Sequence, residues 1–238
     1  MISHHDQCVF VHVPKCAGQS IEQFFLRRIG LDWERRAPLL LRPNDVSALG
    51  PPRLAHLKAS EYVESRWMTQ EQFDRYFKFT IVRDPWDRTA SFYRFLGFDR
   101  RCSFSQFVER HLAAQMEKKA WFLCPQADYL LDADGRLLVD FVGRFERLAA
   151  DFTEACARMG IAEARLPHVN DSKKHSASGL NRWLRRRVLP YREMYDTRSR
   201  DTVERLYASD VEAFGYVFSE GAERAPRVSG SQSLRLGL

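Results

Sequence analysis

Two apolar runs, each followed by a stretch of helical spacing, frame this chain. From Cys8 to Val13 the run is Cys8, Val9, Phe10, Val11 and Val13, interrupted by His12, as in a strand covered on both faces. Pro14 breaks it, and from Ser20 the residues Ile21, Phe24, Phe25 and Arg28 fall at helical spacing, with Gly30 closing the helix. Phe77, Phe79, Ile81 and Val82 make the second run. Behind it, Asp84 and Pro85 predict an N-cap and first helical position, which puts Ser91 about two turns into the helix.

The remaining pattern fills in around these two units. Arg53–Leu57 predicts a short buried strand with His56 at its end, and Thr69 with Gln72 predicts a capping box. Ser103 with Gln106 repeats the box, ahead of a helix whose apolar face is Phe104, Phe107, Val108 and Leu112. Residues 125–146 predict two short extended segments around an Asp-Gly turn. Leu137–Phe145 is then a strand feeding a helix through Leu148, Phe152 and Cys156 that Gly160 closes, and a further helix is expected over Thr202–Phe214. Residues 38–52 carry four prolines and a glycine and read as a loop. The expectation is an α/β chain with one domain over residues 1–218, a parallel sheet flanked by helices, and a ligand at the C-terminal strand ends. Residues 219–238 are polar and Gly/Ser-rich and predict a disordered tail.

Composition narrows the class. A chain of 238 residues, 45% hydrophobic and 29% charged, suits one soluble globular domain. It has no run of 18 apolar residues, and the N-terminus enters the first strand too soon for a signal peptide, so a cytoplasmic protein is expected. The net charge of +6 invites a nucleic-acid reading, but no nucleic-acid motif accompanies it, and a basic surface also suits a polyanionic small molecule. Five scattered cysteines without a CxxC spacing give neither a disulfide framework nor a zinc site.

The chemistry lies at the two corners. A strand feeding a tight loop and then a helix gathers unpaired N–H groups and the positive end of the helix dipole, and Lys15 adds a full charge, so residues 15–20 predict a phosphate or sulfate site. Cys16, inside that loop, is expected to have a lowered pKa. In the common nucleotide loop a Ser or Thr that holds magnesium follows the lysine directly, and here Cys16 stands there. Arg83, at the end of the second strand, offers a planar fork suited to a doubly charged phosphate.

The loop PKCAGQS resembles the PK-[TC]-[GA]-G-x-S loop of sulfotransferases that use 3'-phosphoadenosine 5'-phosphosulfate. The second corner is similar to that family's R-[DN]-P-x-x-R-x-x-S-x-Y signature, with Arg83, Asp84, Pro85, Arg88, Ser91 and Tyr93 at every fixed position. A later glutamine, the Asp-Gly turn, the DFVGRFE run and the ending YASDVEAFGYVF extend the likeness to Phe218. The resemblance is to family 2, carbohydrate-type bacterial enzymes. It implies a fold of the P-loop nucleoside triphosphate hydrolase kind and transfer of a sulfuryl group to an acceptor hydroxyl, of a carbohydrate or glycoconjugate, without a metal. It implies that Lys15, Cys16, Ala17, Gly18, Gln19 and Ser20 grip the 5'-phosphosulfate and that Arg83 and Ser91 hold the 3'-phosphate, with Lys15 at the leaving group.

For the base, His56 leads, on its expected strand-end position and because many relatives carry a histidine there; His12 and Glu61 are the alternatives. Alternation turns His12 away from Val11 and Val13, toward a neighbouring layer. Arg88 either braces the helix or faces the acceptor. Asn170, Ser172, Lys173 and Lys174 resemble a late N-x-S loop over the cofactor. Arg182 and Arg185–Arg187 read as an acceptor contact or a solvated helix face, and Trp183, Tyr191 and Tyr195 as a sugar platform or core. Two other classes compete: a magnesium-dependent kinase or NTPase, and a non-catalytic nucleic-acid binder whose affinity would fall steeply with salt.

Overall fold

The computed structural model describes residues 1–167 and 189–218. In chain order its strands and helices are β1 (Ile2–Ser3), β2 (Cys8–Val11), α1 (Gly18–Arg28), α2 (Glu61–Glu64), α3 (Gln70–Arg75), β3 (Phe77–Val82) and α4 (Pro85–Phe95). There follow α5 (Phe104–Arg110), α6 (Leu112–Lys118), α7 (Ala120–Leu123), β4 (Phe141–Arg144), α8 (Leu148–Arg158), α9 (Thr197–Leu206) and α10 (Ala208–Phe214). The sheet order is β1-β2-β3-β4: β2, β3 and β4 run parallel and β1 pairs antiparallel with β2.

The two apolar runs are the central strands, aligned Phe10↔Phe79 and Phe79↔Phe141. Side chains from the strands and α1 make the core: the Phe79 ring lies tilted at 5.0 Å from Phe10 and 6.0 Å from Phe25. Phe24 meets Phe152 edge-on at 5.0 Å, which seats α1 against α8. Each such ring contributes about 1.5–3 kcal/mol through burial. Gly143 lets β4 approach α8 closely: a Cβ there would sit 2.6 Å from Ile81 and 3.0 Å from Asp151, whose carboxylate accepts the Arg144 amide at 2.7 Å.

The capping signals are met in full. Asp84 accepts the amides of Trp86 and Asp87 with Pro85 as the first helical residue, and both Ser/Thr capping boxes form.

Five expected elements differ: the helix expected to reach Leu112 ends at Arg110, and Leu112 opens α6 instead. Arg53–Leu57 is not a strand but a 3-10 turn over Leu54–His56, because β1 already occupies the β2 edge where another strand would pair. Leu137–Phe145 shortens to β4, leaving an isolated Leu131↔Leu137 bridge across the Asp-Gly turn. The expected helix over Thr202–Phe214 is two helices that break at Tyr207, and the first begins earlier, on an Asp196–Ser199 capping box. The first helix starts at Gly18 rather than Ser20. Residues 219–238, and with them the expected tail, lie outside the described residues. Among the described residues no helix is long and apolar enough to cross a membrane.

Candidate functional site

Lys15 and Ala17 carry the turn between β2 and α1 in the left-handed region, with φ of 69° and 65°. Neither is a glycine, and each such residue costs about 1–2 kcal/mol, strain of the kind that collects at binding loops. Gly18, by contrast, has an ordinary φ; it is needed for space, because a Cβ there would run into the His12 imidazole. The α1 N-terminus has no side-chain cap, and the Ser20 amide turns back onto the Ala17 carbonyl at 3.0 Å. The positive end of an eleven-residue helix is therefore left uncapped by any side chain beside Lys15.

The second corner joins the first directly. Arg83 donates from Nη1 to the Lys15 carbonyl at 3.0 Å, pairs with Asp87 at 2.7 Å, and lies 4.0 Å over the Phe145 ring. Along α4, Asp87, Ser91 and Phe95 recur every four residues and so share one face. Arg83 meets that stripe at Asp87. Lys15 meets it at the other end, its Nζ 4.1 Å over the Phe95 ring. Ser91 lies between them, half-buried. Burial, and then the Arg83 charge, lower the Lys15 pKa to about 8. Lys15, its loop and the Arg83 fork thus line one stripe about 12 Å long.

Arg88 is resolved as a brace. It is wholly buried (0% exposed), donating to the Pro14 carbonyl at 3.1 Å and the Cys124 carbonyl at 3.0 Å, with Asp210 at 4.0 Å. Burial raises the Asp210 carboxyl to about 6 despite Arg88. Gln126, also buried, forms a reciprocal pair with the Arg83 backbone, accepting its N–H at 2.8 Å and donating to its carbonyl at 2.7 Å. The same side-chain oxygen lies 3.4 Å from the Cys16 sulfur, and the amide donates to Asp210 at 3.1 Å. Both corners therefore hang on one buried polar network. Cys16 faces this network, not the loop's open side, and burial pushes its thiol up to about 12, so the expected lowered pKa is corrected. Of Cys16 only the backbone faces the open side of the loop.

His56 sits on the 3-10 turn with Nδ1 3.0 Å from the His12 carbonyl. A carbonyl can only accept, so Nδ1 carries the hydrogen and Nε2 keeps the lone pair. Burial, and then His12, hold its pKa well below the ordinary histidine value. Its ring lies 5.8 Å from both Trp121 and Phe122, and Phe122 lies 5.4 Å from Phe95. An aromatic strip therefore links His56 to the ring under Lys15, and Phe95 is 60% exposed. Glu61 is turned away from such a role: its carboxylate accepts the Lys58 amide at 2.7 Å.

His12 is buried, as alternation predicts, but with a partner no periodicity shows: Nδ1 lies 2.6 Å from Glu22. Tyr191 and Tyr195 serve the fold at α4, Tyr191 donating to Asp84 at 2.8 Å and Tyr195 to the Trp86 carbonyl at 2.9 Å. Asn170, Ser172, Lys173, Lys174, Arg182, Trp183 and Arg185–Arg187 lie outside the described residues. Asp87, Phe95, the role of Gln126 and the Glu22 partner were missed from sequence; Asp87, four residues from Arg83, and Phe95, four from Ser91, carried a spacing signal.

A family model described as "Sulfotransferase family" matches residues 1–217. An "Uncharacterized protein" of Archaeoglobus fulgidus is 27% identical over 112 residues, covering 44% of this chain and 88% of that protein. No solved structure matches the chain.

Proposed function

We propose that this chain, which belongs to the sulfotransferase family, uses 3'-phosphoadenosine 5'-phosphosulfate to sulfate a hydroxyl on a carbohydrate or glycoconjugate. The observation that carries the donor assignment is the Arg83–Lys15 contact at 3.0 Å, because a molecule with charge at both ends needs both corners in one site. The uncapped α1 N-terminus, Lys15 and the residue 16–20 backbone suit a phosphosulfate, while Arg83 and Ser91 on the α4 stripe suit a second phosphate. The donor supplies the sulfuryl group and an anionic leaving oxygen.

The chain's own residues then divide the work. Lys15 places a cation where charge grows on the leaving side. His56 is the base of this reading: its lone pair on Nε2 takes the acceptor proton as the new O–S bond forms, and the old S–O bond breaks with its electrons passing to the 5'-phosphate. The exposed Phe95 face beside Lys15 supports a sugar ring as acceptor, since ring C–H groups pack on aromatic faces. Asp87 and Arg83 hold the α4 end fixed.

The test is binding and turnover together. The protein should bind 3',5'-adenosine bisphosphate at least tenfold more tightly than adenosine 5'-phosphate, without magnesium, and should transfer label from a radiolabelled sulfate donor to a glycan fraction. Magnesium-dependent nucleotide binding without regard to the 3'-phosphate would replace this reading with a kinase or NTPase.

A further inference from the structure

His12 and Glu22 form a buried ionisable pair that the mechanism above leaves unused. His12 is 6% exposed and Glu22 is 2%, and their side chains meet at 2.6 Å. Two features separate the pair from a core salt bridge. First, only Nδ1 of His12 is engaged; Nε2 takes no hydrogen bond among the described residues. Second, Nε2 lies against the backbone of Gly18, the first residue of α1, so closely that any side chain there would displace the ring. The nitrogen that Glu22 leaves free therefore lies beside the uncapped end of the anion-binding helix.

The groups packed around His12 come from α1, the 54–56 turn and β2. Glu22 on α1 faces Nδ1, and His56 on the 54–56 turn lies at a ring distance of 4.4 Å. The Phe10 ring stacks at 5.6 Å. Behind the pair, the Met1 amino group and the Tyr62 hydroxyl both bond the Phe10 carbonyl. Burial lowers the Met1 amine to about 5 and raises the Tyr62 phenol, so neither is charged at neutral pH. His56 is held neutral as well. Glu22 is then the acidic group in contact with His12.

Resting on the donor reading above, we propose that Glu22 and His12 are a charged donor built into the anion loop: Glu22 holds Nδ1–H, and Nε2–H is presented to the sulfate-bearing end of the ligand at the α1 N-terminus. No proton is transferred. The imidazolium adds a second fixed positive group beside Lys15 and, through its position next to His56, keeps that ring unprotonated and able to act as base.

The test uses protein carrying 15N-labelled histidine, with His12 assigned by comparison with His12→Gln. Its imidazole nitrogens are followed across pH with no ligand, with 3',5'-adenosine bisphosphate, and with the sulfated donor in the absence of acceptor. The expected result is a His12 pKa about one unit higher with the sulfated donor than with the bisphosphate, which lacks the sulfuryl group. Glu22→Gln, which preserves the size of the side chain, should lower the His12 pKa. It should also weaken the sulfated donor about tenfold while changing bisphosphate affinity less than threefold. If both nucleotides bind and His12 titrates identically with each, the pair is structural and the proposal is overturned; the labelled parent protein decides this even if Glu22→Gln does not fold. If neither nucleotide binds, the donor reading itself falls, and this proposal with it.

Discussion

Replacing Arg83 with Ala is the sharpest test of the second corner, and its size follows from counting donors. A guanidinium has five N–H groups. Nε and one Nη2 hydrogen serve Asp87, at 2.8 and 2.7 Å, and one Nη1 hydrogen serves the Lys15 carbonyl at 3.0 Å. Two N–H groups remain for a phosphate. At about 1.5–3 kcal/mol for each charge-assisted bond, the gross gain is about 3–6 kcal/mol. The Asp87 carboxylate repels the same phosphate, which reduces the net gain to about 2–4 kcal/mol, or ~30- to 1000-fold in affinity. Titration calorimetry should therefore show Arg83→Ala losing that much for 3',5'-adenosine bisphosphate and less than threefold for adenosine 5'-phosphate. Asp87→Asn should act in the opposite direction, tightening the bisphosphate by about threefold, because it removes the competing charge. Equal losses for the two nucleotides, or a bisphosphate affinity unchanged by Arg83→Ala, would refute the placement of a phosphate at this fork.

The base assignment predicts that His56→Gln lowers kcat by about two to four orders of magnitude with bisphosphate affinity within threefold, checked by single-turnover assay. Because burial depresses the His56 pKa, the acid limb of kcat/KM should lie on the acid side of the ordinary histidine range. Lys15 loses its charge as pH rises through about 8, so donor affinity of the free enzyme should weaken above that pH. Removing the Arg83 charge should move that loss upward, which nucleotide titrations in a pH series would read. Arg88→Met leaves two buried carbonyls and Asp210 without their cation, at about 3–5 kcal/mol in urea unfolding at pH 7. The Asp210 carboxyl is raised to about 6, so it is protonated well below that pH, and the variant's deficit should shrink at pH 5.

The parts of the fold written in local chemistry were legible. Apolar runs gave β2 and β3, and Asp84-Pro85, Thr69/Gln72 and Ser103/Gln106 gave helix starts, because each signal acts within three or four residues. What failed depended on competition at a distance. Arg53–Leu57 has a strand's composition, but the edge it would join is taken by Ile2–Ser3, two residues with no periodicity of their own. The site divided in the same way. Lys15 and Arg83 were visible because motif residues lie beside strand ends. Cys16 was misjudged because which side of the loop a thiol faces is set by Gln126, over a hundred residues away. The Glu22 partner of His12 required knowing that α1 folds back over β2.

The stripe of Asp87, Ser91 and Phe95 makes α4 a ruler, since a helix keeps its graduations at 1.5 Å per residue. Inserting one amino acid between Asp87 and Ser91 would swing Phe95 by about 100° and carry Lys15's platform off the line, even if every individual contact residue were retained. Length changes in the proline-rich 38–52 loop would leave the graduations alone. For anyone reshaping this protein toward a different donor, the interval along that helix is the setting to change.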